Sequence, residues 1–144
     1  MKRILILSIL FLSINGFSQI TINESPTEEI SVVKNMGFKI GLIERQGDLY
    51  RIRLAETVGM GMPSLNDSFE FSFKASEEEF NQFANAVENA IKSKEDLSVN
   101  LGDSEFRLNY TSFSIVIEKY KGDELINTSA PFNKRKFLKF FNAK

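Results

Sequence analysis

The chain contains no His, no Cys and no Trp, and the first two absences exclude whole classes of site. Without imidazole and thiolate there are no imidazole bases, no imidazole or thiolate metal ligands, no thiol nucleophiles and no disulfides. The 18 Lys and Arg residues nearly balance the 19 Asp and Glu residues, so the chain as a whole does not attract nucleic acid or an anionic membrane. We therefore expect no metal, no cofactor and no nucleic-acid partner, and any attraction for an anion must be local.

The N-terminus has the three parts of an export signal. A positive start at residues 2–3 precedes an apolar run at residues 4–12, and the small residues Gly16 and Ser18 precede Gln19. The apolar run is shorter than the roughly 20 residues that cross a bilayer as a helix. We therefore predict a cleaved signal peptide, export to the periplasm or the extracellular space of a bacterium, and no transmembrane segment in the mature chain.

The remainder is long enough to form one stable domain without disulfides or metals. Its first part is polar and then carries a short β-branched run at Ile30, Val32 and Val33. This pattern indicates a flexible lead-in that can end in an edge strand. The predicted organisation is a signal peptide at 1–18, a lead-in at 19–36 and a single α+β domain at 37–144.

Alternation of apolar and polar residues marks most of the predicted strands. Two such runs flank Gly47-Asp48, which predicts a hairpin, and a third has Phe at positions 69, 71 and 73. Further runs before and after Gly122-Asp123 predict four strands in meander order. We expect one antiparallel sheet of about six to seven strands, packed against two helices.

Helical periodicity appears twice. Ser76 and Glu79 form a Ser-x-x-Glu capping box ahead of apolar residues spaced three and four apart, which predicts a helix over 76–93. Asn133 can cap a short helix over 133–142 that has its own stripe of Phe residues. Within an aromatic-rich chain these stripes favour a core over a stacking platform, and we expect Phe71 and Phe83 between the sheet and the first helix.

The two predicted helices match each other at an offset of 57 positions. Placing Ser76 on Asn133 also places Phe80 on Phe137. A duplicated sheet-then-helix unit explains the match, but so does chance similarity of two amphipathic helices, because the preceding strands do not align at that offset. Both explanations stay open at the level of sequence.

Motifs that carry chemistry are few. The segment Gly59-Met60-Gly61-Met62 lacks the third glycine of a dinucleotide fingerprint and the Gly-Lys-Ser/Thr of a phosphate loop. It is therefore interpreted as a connection whose methionines we expect to pack against the sheet edge, the alternative being an exposed and adaptable contact surface. Without His, acid-base catalysis falls to pairs of carboxylates, and no spacing selects such a pair. No catalytic residue is predicted.

One charge pattern opposes helix stability. Lys134, Arg135 and Lys136 occupy the first turn of the second helix, where the helix dipole is positive, and Lys139 follows one turn later. The three first-turn cations can be a solvated turn, can pair with the acidic first turn of the other helix, or can bind an anion or a membrane surface. We select these four residues as the candidate binding site.

The function predicted from sequence is an exported, soluble and non-catalytic binding or interaction module. Its partner is an unidentified protein or an anionic ligand. The alternatives are a small carboxylate-based hydrolase and an anion or membrane-surface binder that uses the basic C-terminal helix.

Overall fold

A computed structural model describes residues 25–57, 59, 61–111 and 113–142. The predicted signal peptide, its cleavage site before Gln19 and the first part of the lead-in lie outside these residues. The described chain is an α+β protein of eight strands and two helices. Its elements are β1 (Glu28–Asn35), β2 (Phe38–Gln46), β3 (Leu49–Ala55), β4 (Ser68–Lys74), α1 (Glu77–Ser93), β5 (Leu97–Leu101), β6 (Ser104–Tyr110), β7 (Ile115–Lys121), β8 (Glu124–Thr128) and α2 (Lys134–Phe141).

The prediction of a single sheet of six to seven strands is wrong. The strands form two antiparallel sheets of four, in the orders β1-β2-β3-β4 and β5-β6-β7-β8. Helix α1 lies between β4 and β5 in the chain, so β5 starts a new sheet instead of pairing with β4. The two sheets are joined at an isolated bridge between Glu56 and Ser129, and Ala130 N–H donates to the Ala55 carbonyl at 2.7 Å.

The predicted hairpin around Gly47-Asp48 is confirmed. Arg45 pairs with Tyr50 and Gln46 with Leu49 on either side of the turn. The run at residues 30–33 belongs to β1, which is an edge strand of the first sheet and pairs along its length with β2. Part of the segment interpreted as a lead-in is therefore integral to the sheet.

Both helices begin as their capping residues predict. The Ser76 hydroxyl accepts from the Glu79 N–H at 3.2 Å, and the Glu79 carboxylate accepts from the Ser76 N–H at 2.7 Å. The Asn133 side chain accepts from the Arg135 N–H at 2.9 Å. Local hydrogen bonds of this kind satisfy backbone donors that have no partner inside a helix, which is why the caps are readable from sequence.

One core serves both sheets and both helices. The Phe83 ring of α1 lies 5.3 Å from Phe106 of the second sheet and 5.7 Å from Phe141 of α2. Phe71 faces the second sheet, with its ring 5.4 Å from Phe106. The expectation that both Phe71 and Phe83 lie between sheet and first helix therefore needs correction, because Phe71 packs between the two sheets.

Gly41 permits the close approach of α2 to the first sheet. A Cβ atom at this position would lie 2.7 Å from Val33 Cγ1 and 3.1 Å from the Phe140 ring. Only a residue without a side chain fits between β1 and the buried stripe of α2. This contact fixes where the basic first turn of α2 stands.

The two halves of the chain repeat one order, a four-stranded meander followed by a helix. Residues 56–67 join β3 to β4, whereas Gly122 and Asp123 alone join β7 to β8. The offset that aligns the helices therefore cannot align the strands before these loops.

In the described part of the chain, neither helix is long and apolar enough to span a membrane.

Candidate functional site

Packing turns the predicted cations of α2 toward solvent. The helix buries Phe137, Phe140 and Phe141 against β1 and α1. All four cations selected from sequence are exposed: Lys134, Arg135, Lys136 and Lys139. Because three consecutive residues cover most of a helical turn, the basic first turn points in several directions at once.

Each cation has a distinct environment. Lys136 donates to the Asn35 side chain at 3.1 Å, next to the turn between β1 and β2. Lys134 lines a groove on the other flank of the helix. Arg135 and Lys139 are four residues apart and share the outward side. The structure brings the four residues together on one short helix, but only two of them reach neighbouring elements.

The acidic first turn of α1 is not the partner of these cations. Glu77 accepts from Arg45 at 3.3 Å, and Glu79 closes its own capping box. Among the described residues, none of the four cations of α2 makes a salt bridge. Internal pairing between the two helix starts is thus not the reason for the basic turn.

The turn between β1 and β2 exposes apolar side chains beside the basic turn. Met36 and Gly37 form a two-residue turn with φ angles of +49° and +87°. Met36 is 78% exposed and Phe38 is 48% exposed. An L residue with a side chain is strained at such a φ, by about 1–2 kcal/mol. This turn was not predicted from sequence, because residues 36 and 37 were assigned to the lead-in and to the domain respectively.

A groove of about 360 Å³ lies on the other flank of α2. Phe113, which is 97% exposed, lines it together with Lys94 and Lys134. The Tyr110 hydroxyl donates to the Ala90 carbonyl at 2.9 Å, and burial raises the pKa of this phenol. The groove therefore combines a neutral phenol, two ammonium groups and one fully exposed aromatic ring.

Leu65, in the connection between β3 and β4, lies close to the turn between β1 and β2. Leu65 N–H donates to the Lys39 carbonyl at 3.1 Å, directly after Phe38. Of the two methionines expected to pack against the sheet edge, Met60 lies outside the described residues, and Met62 is 54% exposed, so Met62 does not pack fully. The basic patch is defined as Lys134, Arg135, Lys136 and Lys139, and the apolar tips are defined as Met36, Phe38 and Phe113.

A cavity of about 580 Å³ lies between β1, α1 and the end of α2. Three carboxylates line it, from Glu28, Glu29 and Glu77. Lys39 binds Glu29 at 2.9 Å and Arg45 binds Glu77 at 3.3 Å. Two of the three acids are therefore held by cations, whereas a two-carboxylate hydrolase needs one protonated and one ionised group facing the substrate.

The outer face of the second sheet carries a hydrogen-bonded cluster. The Arg107 guanidinium lies 3.8 Å from the centre of the Tyr120 ring and donates to Glu105 at 2.8 and 2.9 Å. Ser98 also donates to Glu105. These hydrogen bonds lower the pKa of Glu105 to about 2, and the bond from Arg107 has the largest effect. The cluster is a stabilising cross-strand network in which the charges satisfy one another.

Within the described residues, no group of three or more Asp or Glu side chains is placed to hold a metal ion. Comparison of the chain with family models, with curated proteins and with solved structures found no match. The function is therefore argued from the surface geometry.

Proposed function

We propose that the chain is an exported, non-catalytic binding module that recognises an anionic partner through its basic patch. One observation carries the proposal: Lys134, Arg135 and Lys136 stand exposed against the dipole of α2 and have no acidic partner in the described part of the chain. Each such cation costs a helix a few tenths of a kcal/mol or more. Charges that cost stability are explained by a partner outside the fold.

Export is proposed from the segment at residues 1–18 alone. The small residues Gly16 and Ser18 stand where a signal peptidase reads them, so the mature protein is expected to begin at Gln19. Mass spectrometry of the protein from the periplasm and the medium checks this. A form that retains Met1 and stays in the cytoplasm would contradict the proposed location.

A carboxylate-based hydrolase is the weaker proposal. The three carboxylates around the cavity favour it, but cations hold Glu29 and Glu77. Of these three, Glu28 alone makes no salt bridge among the described residues. One free carboxylate does not make an acid-base pair.

Retention on a heparin column tests anion recognition. The whole chain has a net charge of −1, so retention reports a local basic surface. The variant Lys134→Gln, Arg135→Gln, Lys136→Gln should elute at clearly lower salt than the wild type, and Lys139→Gln should shift elution less.

The matched control variant removes three positive charges from other parts of the chain. Lys74, Lys92 and Lys121 each form a salt bridge with an acid, to Asp48, Glu88 and Asp103 respectively. Replacing these three by Gln should leave elution nearly unchanged. If both triple variants shift elution equally, or neither does, the basic patch is not the binding site.

A further inference from the structure

We propose that the basic patch and the apolar tips together dock the protein on a bilayer containing anionic phospholipid, with Met36, Phe38 and Phe113 entering the membrane interface. This inference rests on the proposed function, since it names the partner of the same patch. It adds a second kind of contact, insertion of apolar side chains, which recognition of a soluble anion does not require.

The apolar tips lie close to the basic turn. The Lys136 ammonium binds Asn35, the residue before Met36. Lys134 shares its groove with Phe113. The two lysines are two residues apart, a rise of about 3 Å along α2. The first turn of α2 therefore stands between the β1-β2 turn on one side and Phe113 on the other.

The acidic turns at the opposite end of the molecule are paired with lysine. The turn at Asp48 lies at the far end of β2 from the turn at Met36. Lys74 pairs with Asp48, and Lys121 pairs with Asp103. A Cβ on Gly102 would meet the Ser72 carbonyl, which places the turn of Asp103 beside β4 at that same end. Docking by the basic end therefore points the acidic turns away from an anionic surface.

Charge complementarity selects anionic lipid as the occupant. The three first-turn cations are exposed and make no salt bridge among the described residues. Lys94 contributes less because Glu95 and Asp96 follow it directly. Lysine and arginine side chains beside apolar residues are typical of segments that lie in the headgroup region.

The form of the apolar residues fits a bilayer better than a protein surface. Met36 and Phe113 lie in two separate connections between strands, on opposite flanks of α2. A protein partner is met by a contiguous patch with a dry centre, whereas separate tips enter lipid independently. The positive φ of Met36 adds to this, because the chain accepts backbone strain to present an apolar side chain there.

The first experiment uses tryptophan as a reporter of insertion. The chain contains no Trp, so Phe38→Trp and Phe113→Trp each introduce a single fluorophore. Vesicles of phosphatidylglycerol should shift the emission of both to shorter wavelength, and vesicles of phosphatidylcholine should not. Leu125→Trp is the control, at a half-exposed position beside the Gly122-Asp123 turn. Absence of a shift at both tips would overturn the proposal.

The second experiment measures affinity for phosphatidylglycerol vesicles by flotation. A Lys or Arg near an anionic surface contributes about fivefold, so replacing Lys134, Arg135 and Lys136 by Gln should weaken binding on the order of 100-fold. Replacing Met36, Phe38 and Phe113 by Ser should weaken it at least about tenfold, because apolar burial is lost. The control variants Leu125→Ser, Ile126→Ser and the Lys74, Lys92, Lys121 triple should bind as the wild type does.

The outcomes separate this inference from the proposed function. Heparin retention without vesicle binding overturns the inference and leaves the proposed function standing. Vesicle binding that depends on the cations but not on the tips overturns insertion alone. Heparin retention and vesicle binding that both survive loss of the three cations overturn both. A dimer in gel filtration that the Ser variant of the tips dissolves assigns the tips to a second copy and overturns membrane docking.

Discussion

The two helices occupy the same place in the two halves of the chain, yet their first turns are opposite in charge. Glu77, Glu78 and Glu79 follow Ser76 in α1, where negative charge matches the helix dipole and Glu79 completes a capping box. Three cations follow Asn133 in α2, and its first turn has no acidic residue. The start of α1 serves stability. The start of α2 opposes the dipole, and the proposed function attributes these charges to binding.

The tight turns show the same contrast. Gly47, Gly102 and Gly122 carry the positive φ at three of them, and an Asp follows each glycine. At the β1-β2 turn a positive φ falls on Met36 as well as on Gly37. The other three turns therefore place the left-handed conformation on glycine, which adopts it at no steric cost, whereas the turn beside the basic patch also places it on a residue with a side chain.

The largest expected effect is in the core that both halves share. Phe83→Ala should lower the free energy of unfolding by about 3–5 kcal/mol, because its ring contacts Phe73, Phe106 and Phe141 and leaves a cavity when removed. Glu70→Ala, on the outer side of β4, should be nearly silent. Urea unfolding of both variants tests this. Equal sensitivity of the two positions would contradict the assignment of Glu70 to the outer side of β4.

Removing each helix cap compares the two starts directly. Ser76→Ala should cost about 1 kcal/mol, within a range of about 0.5–2, since it breaks the hydrogen bond that Ser76 accepts and leaves Glu79 reaching back alone. Asn133→Ala should cost less, because only one bond to the Arg135 N–H is lost. Thermal melts decide the order. A larger loss from Asn133→Ala would contradict the view that α1 has the better start.

Met36→Asn should stabilise the protein by about 1 kcal/mol. It creates an Asn-Gly turn, which suits the positive φ angles of the two central residues, and it removes the strain on Met36. The gain should appear in urea unfolding, with the slope unchanged. A loss of stability would show that the Met36 side chain packs on the fold and is not held outward for a partner.

Neutralising the basic turn should make α2 resemble α1 more closely. Lys134→Gln, Arg135→Gln, Lys136→Gln should keep the stability or raise it by up to about 1 kcal/mol, because unfavourable charge-dipole interactions are removed. Melting temperatures at low and high salt check this. A destabilisation that shrinks in high salt would reveal attractive pairing within the fold and would exclude binding as the reason for these charges.

The smallest expected effect concerns pH and the second sheet. Because Arg107 and Ser98 hold the pKa of Glu105 at about 2, below its usual value of about 4.3, this carboxylate stabilises the fold above that usual value. The contribution is lost as the pH falls through about 2. Unfolding free energies between these limits should fall less steeply for Glu105→Gln than for the wild type. Identical slopes would show that the cluster leaves the pKa unchanged.

Much of the fold follows from local pattern. Hydrophobic periodicity and caps place α1 and α2 to within a residue, and the Gly-Asp turns locate three hairpins, because these features depend on neighbours a few positions away. The division of the strands into two sheets does not follow from local sequence pattern. Alternation tells which side of a strand is buried, but it does not tell which strands pair across a helix.

The candidate site was likewise predictable from sequence only in part. Its cations were visible as a charge pattern at odds with the dipole of α2. The apolar tips were not, since exposed and buried Phe are identical in sequence, and Phe38 and Phe113 lie in alternating runs like those of the core. Tertiary packing distinguishes them. Phe140 packs closely over Gly41, and Lys136 of α2 binds Asn35. Phe113 lies outside the core and is exposed. The charge of the site is therefore a property of the chain, and its shape is a property of the packed core.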